Sequence, residues 1–437
     1  MLVFCFFWFL FLYGITFFWS KEKDIFSPLK FVTAKYALLN LCFILYICFY
    51  PEAFDRRILR VCNVTLNEAF FRYTILQTVA FVSLVSGMLF FAKKEIKVPD
   101  SNLAYNYRSL KIMAFVCLIT AFAAYGIFLH RIGGLSILLT NLDKRVELQG
   151  GQYILNLMPL LVMSCLLFLL CIKISNKITD KVLFVVFSIV TLCIFNSFGS
   201  RETSLLFVIT IFVGSNYLIR KYKFSGKNIL GVLCLGLTFF IYMVSVPIIR
   251  AGDSADITKV VSMKKFVYNV SYAYIDVFAA NYFNTDNAWY MDGYFAPVTT
   301  ILAKDKGSIP QVDQGVYFNS IVVNNKDYKP PLPRKDVSKV SWPTENFGFA
   351  YANFLLPGLI FFYFLQGVVF RLAYRVLKVN IHNPMPVMLY VLVIFTFNFS
   401  SLRIAGFIKV VPLIYIGYVA FNKFIRLKSL TESLKIY

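Results

Sequence analysis

Long apolar runs and short polar breaks alternate along most of this chain. Eleven runs are long enough to span a bilayer as helices, at about 2–19, 30–50, 73–92, 112–129, 153–172, 182–198, 203–219, 228–249, 353–370, 384–400 and 404–421. One stretch breaks the rhythm. From Arg250 to Ala352 the chain is polar and rich in aromatic residues, between two apolar runs. A loop of that length inside a helix bundle carries more than a connection. The pattern predicts an all-α polytopic membrane protein with about eleven transmembrane helices and one large extracytoplasmic loop. Its parts are 1–249 (about eight spans), the loop 250–352, and 353–437 (three spans and a basic tail).

Composition agrees with this reading. Of 437 residues 59% are hydrophobic and only 15% charged, and the mean hydropathy is +0.69. A soluble domain carries about a quarter charged residues. The net charge of +22 comes from loops and does not point to nucleic acid. Taken alternately, one set of short loops holds 22 Lys and Arg and the other holds 9. The richer set is therefore cytoplasmic and the long loop extracytoplasmic. Eight of the nine cysteines lie in apolar runs, with only Cys62 in a loop, so no disulfide framework is expected. The first run lacks a basic leader and a small-residue cleavage site, and reads as an anchor.

Outward-facing cations stand out where that charge rule depletes them. Arg201 follows Gly199-Ser200, Arg250 ends the eighth run, and Arg403 follows Ser400-Ser401-Leu402. Arg145 lies in the loop after the fourth run, and Lys409 sits inside the eleventh. Guanidinium groups bind phosphate through two parallel hydrogen bonds and stay charged, so arginines at separate span ends suit one anionic group. The bland alternative is that each reaches a lipid phosphate.

Glu345 is the one glutamate of the long loop, placed just before a span, where burial suits a general base; Asp253 is the next candidate. The loop's nine aspartates otherwise read as solvated surface. The segment 260–281, apolar and aromatic with Lys264 and Lys265, reads as a helix lying on the membrane surface. Loop aromatics such as Tyr294 and Trp342 suit either the face of a sugar ring or the membrane interface. No Walker loop, dinucleotide fingerprint, nucleophile elbow or Asp-x-Asp is present, so neither a cofactor nor a metal is expected.

Three stretches together resemble a family. Gly199-Ser200-Arg201 after a span, Gly133-Gly134-Leu135-Ser136 leading to Asn141-Leu142-Asp143-Lys144-Arg145, and Thr344-Glu345-Asn346-Phe347-Gly348 at a span entry are similar to the oligosaccharide repeat-unit (O-antigen, Wzy-type) polymerases. The resemblance implies a GT-C-like, multi-pass glycosyltransferase of the bacterial inner membrane. Its substrates would be undecaprenyl-diphosphate-linked glycans, its setting the lipid bilayer, and its partners a chain-length regulator and a flippase. It places function on Arg201, Arg250, Arg403 and Arg145. Glu345 would be the base, and Lys409, Asp253, Trp342 and Tyr294 would serve substrate binding. Two rivals are weighed against it. An O-antigen ligase would carry a histidine in the long loop, which has none, and a lipid-linked oligosaccharide flippase would carry polar residues through the bundle.

Overall fold

The computed structural model describes residues 1–20, 22, 24–91, 105–141, 148–149, 151–199, 201–219, 263–290, 292, 313–338 and 340–426. Among these residues the chain is helical, with an isolated antiparallel bridge between Tyr105 and Arg426. Nine helices of the described residues are long and apolar enough to cross a membrane. They coincide with the sequence-predicted spans apart from 228–249, which lies outside the described residues, and 384–400. There the helix is Met385–Thr396, too short to cross alone at about 1.5 Å per residue.

The chain divides into two compact units. The first comprises Met1–Glu95, Met263–Tyr374 and Thr396–Ile408, and the second Ile96–Ser262, Arg375–Phe395 and Lys409–Tyr437.

In the first unit, α1 (Leu2–Trp19), α2 (Pro28–Phe49) and α4 (Leu66–Phe90) pack together, with the short α3 (Arg56–Cys62) at one end. A capping box starts α4, with the Thr65 and Glu68 side chains closing on each other's backbone N–H. Next to these lies the long α13 (Asn346–Val379). A Cβ added to Gly87 on α4 would fall 2.0 Å from the Phe364 carbonyl oxygen, and one on Gly367 would fall 2.1 Å from that of Leu84. The two backbones therefore touch, as membrane helices do where small residues face each other. We expect Gly367→Leu to prevent this packing. Folded, monodisperse protein extracted in mild detergent should fall to a small fraction of the unaltered yield, and an unchanged yield would show that the crossing can open.

The stretch after Met263 does not form one continuous surface helix. It forms α10 (Met263–Val270) and α11 (Ala273–Tyr282), and every residue of α11 from Ile275 to Asn281 is buried. The sequence-predicted interfacial helix is thus corrected for α11, whereas Met263 and Lys264 on α10 are exposed. α11 packs on α3 and α4, where Asn281 Nδ2 donates to the Ala69 carbonyl at 3.0 Å. α12 (Gln314–Asn324) is buried from Gln314 to Val322. Aromatic rings join these helices edge to face: Phe278 with Phe318 at 5.5 Å, and Phe283 with Trp289 at 5.1 Å. The aromatic density that suggested sugar contact forms a core here, and Trp289 and Tyr317 are fully buried in it.

In the second unit, α7 (Pro159–Ser175) is the central helix, buried along its whole length from Leu161 to Cys171. It packs against α5 (Tyr107–Ile132) and α8 (Ile178–Ser197), with α6 (Leu135–Thr140) following α5 and α9 (Arg201–Gly214) beside α7 and α8. Asp180, buried, closes one end of this unit by pairing with Lys111 at 3.0 Å and accepting from Tyr107 at 2.7 Å. A cavity of about 340 Å³ lies within this unit, with a mostly apolar wall that includes Met158, Val162, Phe195, Phe207 and Met388.

Candidate functional site

The local fold around Glu345 is a helical hairpin. α13 is continuous except at Leu355, where φ is 54° and ψ −140°. A leucine rarely takes that backbone, and Pro357 follows it without an N–H to give. The first arm folds back on the second: Asn346 Nδ2 donates to Gln366 Oε1 at 3.1 Å, and Phe349 stacks edge-on to Phe362 at 5.2 Å. Gly358 lets the arms close, since a Cβ there would lie 2.3 Å from the Ala350 carbonyl oxygen. The arm 346–354 therefore doubles back, and its beginning lies alongside the middle of the second arm.

A second helix break meets this point. α14 (Met385–Thr396) stops and α15 (Ser401–Phe424) begins, with Phe397–Ser400 between them. Gln366 Nε2 donates to the Phe397 carbonyl at 2.8 Å, and the Phe399 N–H donates to Asn346 Oδ1 at 3.4 Å. Broken backbone between membrane helices is tolerated where protein satisfies it, and it commonly borders binding sites.

Glu345 stands at the inner end of the hairpin. It is delivered by the extended stretch 340–345, which runs along α12. Asn319 Nδ2 donates to the Val340 carbonyl at 3.1 Å, and the Trp342 N–H to the Gly315 carbonyl at 3.1 Å. A Cβ on Gly315 would lie 1.7 Å from the Trp342 carbonyl oxygen, so only glycine permits this approach.

Two further charged groups meet Glu345. Lys35 on α2 places Nζ 3.9 Å from Glu345 Oε2, and the two side chains are 15% and 28% exposed. Asp276 on α11 is 8% exposed and its Oδ1 has no hydrogen-bond partner among the described residues. Burial, with the nearby Glu345 charge second, pushes the Asp276 carboxyl well above its ordinary range, against the pull of the Gly348 N–H. Tyr36, Asn40, Tyr272 and Tyr363 complete the walls of a cavity of about 20 Å³, room for one water molecule. Behind it a polar chain continues, as Tyr73 donates to Asn40 Oδ1 at 3.2 Å and Asn40 Nδ2 donates to Tyr13 at 2.7 Å.

The remaining sequence candidates divide. Arg145, Arg250, Asp253 and Tyr294 lie outside the described residues. Arg201 is the first residue of α9 in the second unit. Arg403 is in the first turn of α15 in the first unit, half-buried, where its charge acts on the Asp313 carboxyl. Lys409 is exposed on α15. Trp342 is half-buried, with its ring edge-to-face to Tyr274 at 5.5 Å and to Phe278 at 6.1 Å.

Asp276 and Lys35 were not among the sequence candidates. Their signal was present: each is a lone charge within an apolar run, and the two signs are opposite. Among the described residues no group of three or more His, Cys, Asp or Glu gathers as metal ligands would. Comparison with family models, with curated proteins and with solved structures finds no match to this chain.

Proposed function

We propose that this chain is a membrane glycosyltransferase that polymerises undecaprenyl-diphosphate-linked oligosaccharide repeat units at the periplasmic face of the bacterial inner membrane. The observation that carries the reading is Glu345, which heads the Thr-Glu-Asn-Phe-Gly stretch of the family resemblance and lies in a pocket beside Lys35 and Asp276. A carboxylate placed beside the acceptor hydroxyl can take its proton. In the proposed reaction the acceptor hydroxyl gives its proton to Glu345, and its oxygen bonds to the anomeric carbon of the donor glycan. The bond from that carbon to the diphosphate breaks, and the lipid diphosphate leaves with the electron pair. Arg201, Arg250, Arg403 and Arg145 take up the charge that develops on it, the role fixed cations play in phosphoryl leaving-group chemistry. The apolar cavity of the second unit suits part of a polyprenyl tail.

A second reading is favoured by one observation. The polar chain from Lys35 and Asp276 through Asn40 to Tyr13 runs inside the bundle, as a lipid-linked oligosaccharide flippase would need. Disruption of the gene and a gel of surface glycans separate the readings. We expect single repeat units on the core, the result of a lost polymerase. Absence of surface glycan would favour the flippase, and lipid-linked polymer not joined to the core would favour a ligase.

A further inference from the structure

Three ionisable groups converge on one small cavity of the first unit: Lys35, Glu345 and Asp276. Their charges do not balance if all are ionised. Lys35 is within 3.9 Å of Glu345, and one cation cannot neutralise two carboxylates. Asp276 is over nine-tenths buried, and its Oδ1 lacks a partner among the described residues. A buried carboxylate oxygen without a donor is costly, whereas a carboxylic acid there carries no charge. Among the described residues, the other titratable groups around Asp276 do not supply a cation. Tyr36 and Tyr363 line the same cavity with Tyr272, and Tyr13 and Tyr73 lie behind it, all of them phenols.

We propose that this pocket is a proton-binding site: Asp276 and Glu345 hold one proton between them, Lys35 balances the charge that remains, and the proton is exchanged through the cavity they line. Two neighbouring carboxyls then titrate as a pair, one of them far above the usual range. The cavity holds one water, enough to carry a proton between the two groups. The site stands without the proposed reaction. Resting on that reading, it also gives the acceptor's proton a destination. Glu345 takes it, both acids are then protonated beside the Lys35 cation, and release of one proton to water restores the resting site.

Infrared spectroscopy of the purified full chain in lipid nanodiscs tests this. At neutral pH we expect a protonated-carboxyl C=O band that moves when aspartate side chains carry ¹³C. Asp276→Asn should remove it. Asp313→Asn should leave it, although burial pushes that carboxyl up as well. Lys35→Met should add a second band that moves with ¹³C-glutamate, because Glu345 without its cation takes up a proton. The proposal is overturned if no band at neutral pH moves with the aspartate label, if Asp276→Asn leaves that band in place, or if Lys35→Met adds none. Should a variant not fold, the labelled unaltered chain decides: loss of the aspartate band within the ordinary carboxylate range overturns the site.

Heat stability gives an independent readout. The folded chain binds a proton at Asp276 that the unfolded chain has already lost above the ordinary value of 3.8. Raising the pH from there therefore favours unfolding, until the raised folded-state titration is passed. The slope should flatten in Asp276→Asn, and an identical slope would overturn the assignment. Polymer assays on Arg201 and Arg403 variants report on the reaction alone, since neither residue lines this cavity, so the two ideas fail separately.

Discussion

Glu345→Gln should abolish long surface polymer while the protein remains in the membrane at its ordinary level. The amide keeps the size of the side chain and loses only the ability to accept a proton. A positioned base contributes about 10²- to 10⁴-fold. Turnover should fall by that order, with binding of the lipid-linked donor nearly unchanged. The hairpin should survive, because its inner end is held by Asn346, Gln366 and the backbone of Phe397 and Phe399, none of which needs Glu345. Lys35 would lose its ion-pair partner, but the Asp276 carboxyl lines the same cavity and can answer its charge. Steady-state kinetics on purified enzyme with lipid-linked repeat units would separate turnover from binding. A normal ladder of surface glycan from this variant would remove Glu345 from the role of base.

The spans were legible because hydropathy depends on residue type alone. A run such as Leu2–Trp19 has nowhere to go but lipid or core. The arm that doubles back was not legible. Its residues, Asn346 to Phe354, read as the start of one long span, and the turn falls on Leu355, a residue with no preference for positive φ. Only Pro357 and Gly358 hinted at it. Trp342 and Tyr317 were ambiguous for a physical reason, since rings with a polar tip suit sugar, interface and core alike. Tyr317 shows the third case, with its ring buried and its hydroxyl accepting the Leu332 N–H at 3.0 Å. Asp276 was hidden among nine loop aspartates. What separates it from Asp286 or Asp292 is the apolar run on both sides of it, from Ala273 to Ala280.

Arg403→Ala and Arg201→Ala should each reduce polymer to single or very short units. The helix ends make the argument sharper than sequence position did. Both residues sit in the first turn of a helix, α15 and α9, where the helix dipole disfavours a cation by about 0.3–1 kcal/mol. Neither is there to stabilise its helix. A guanidinium at a helix start is instead suited to an anion, and a diphosphate is one. Losing one such donor from a reacting centre costs about 10²–10³ in rate. For Arg403 a structural role competes, because its charge lowers the titration of Asp313, which burial otherwise raises. A double-mutant cycle decides between the two. If Arg403 serves only to balance Asp313, then Asp313→Asn should restore polymer in the Arg403→Ala background, since the uncompensated carboxylate is gone. If Arg403 grips the leaving diphosphate, the double variant should stay as short-chained as Arg403→Ala. Asp313→Asn alone should then polymerise normally, because the amide oxygen can still cap α12 through the Gly315 N–H that the carboxylate now accepts at 3.0 Å. Chain-length distributions on a glycan gel read all three strains at once, and restored long chains in the double variant would assign Arg403 to the fold.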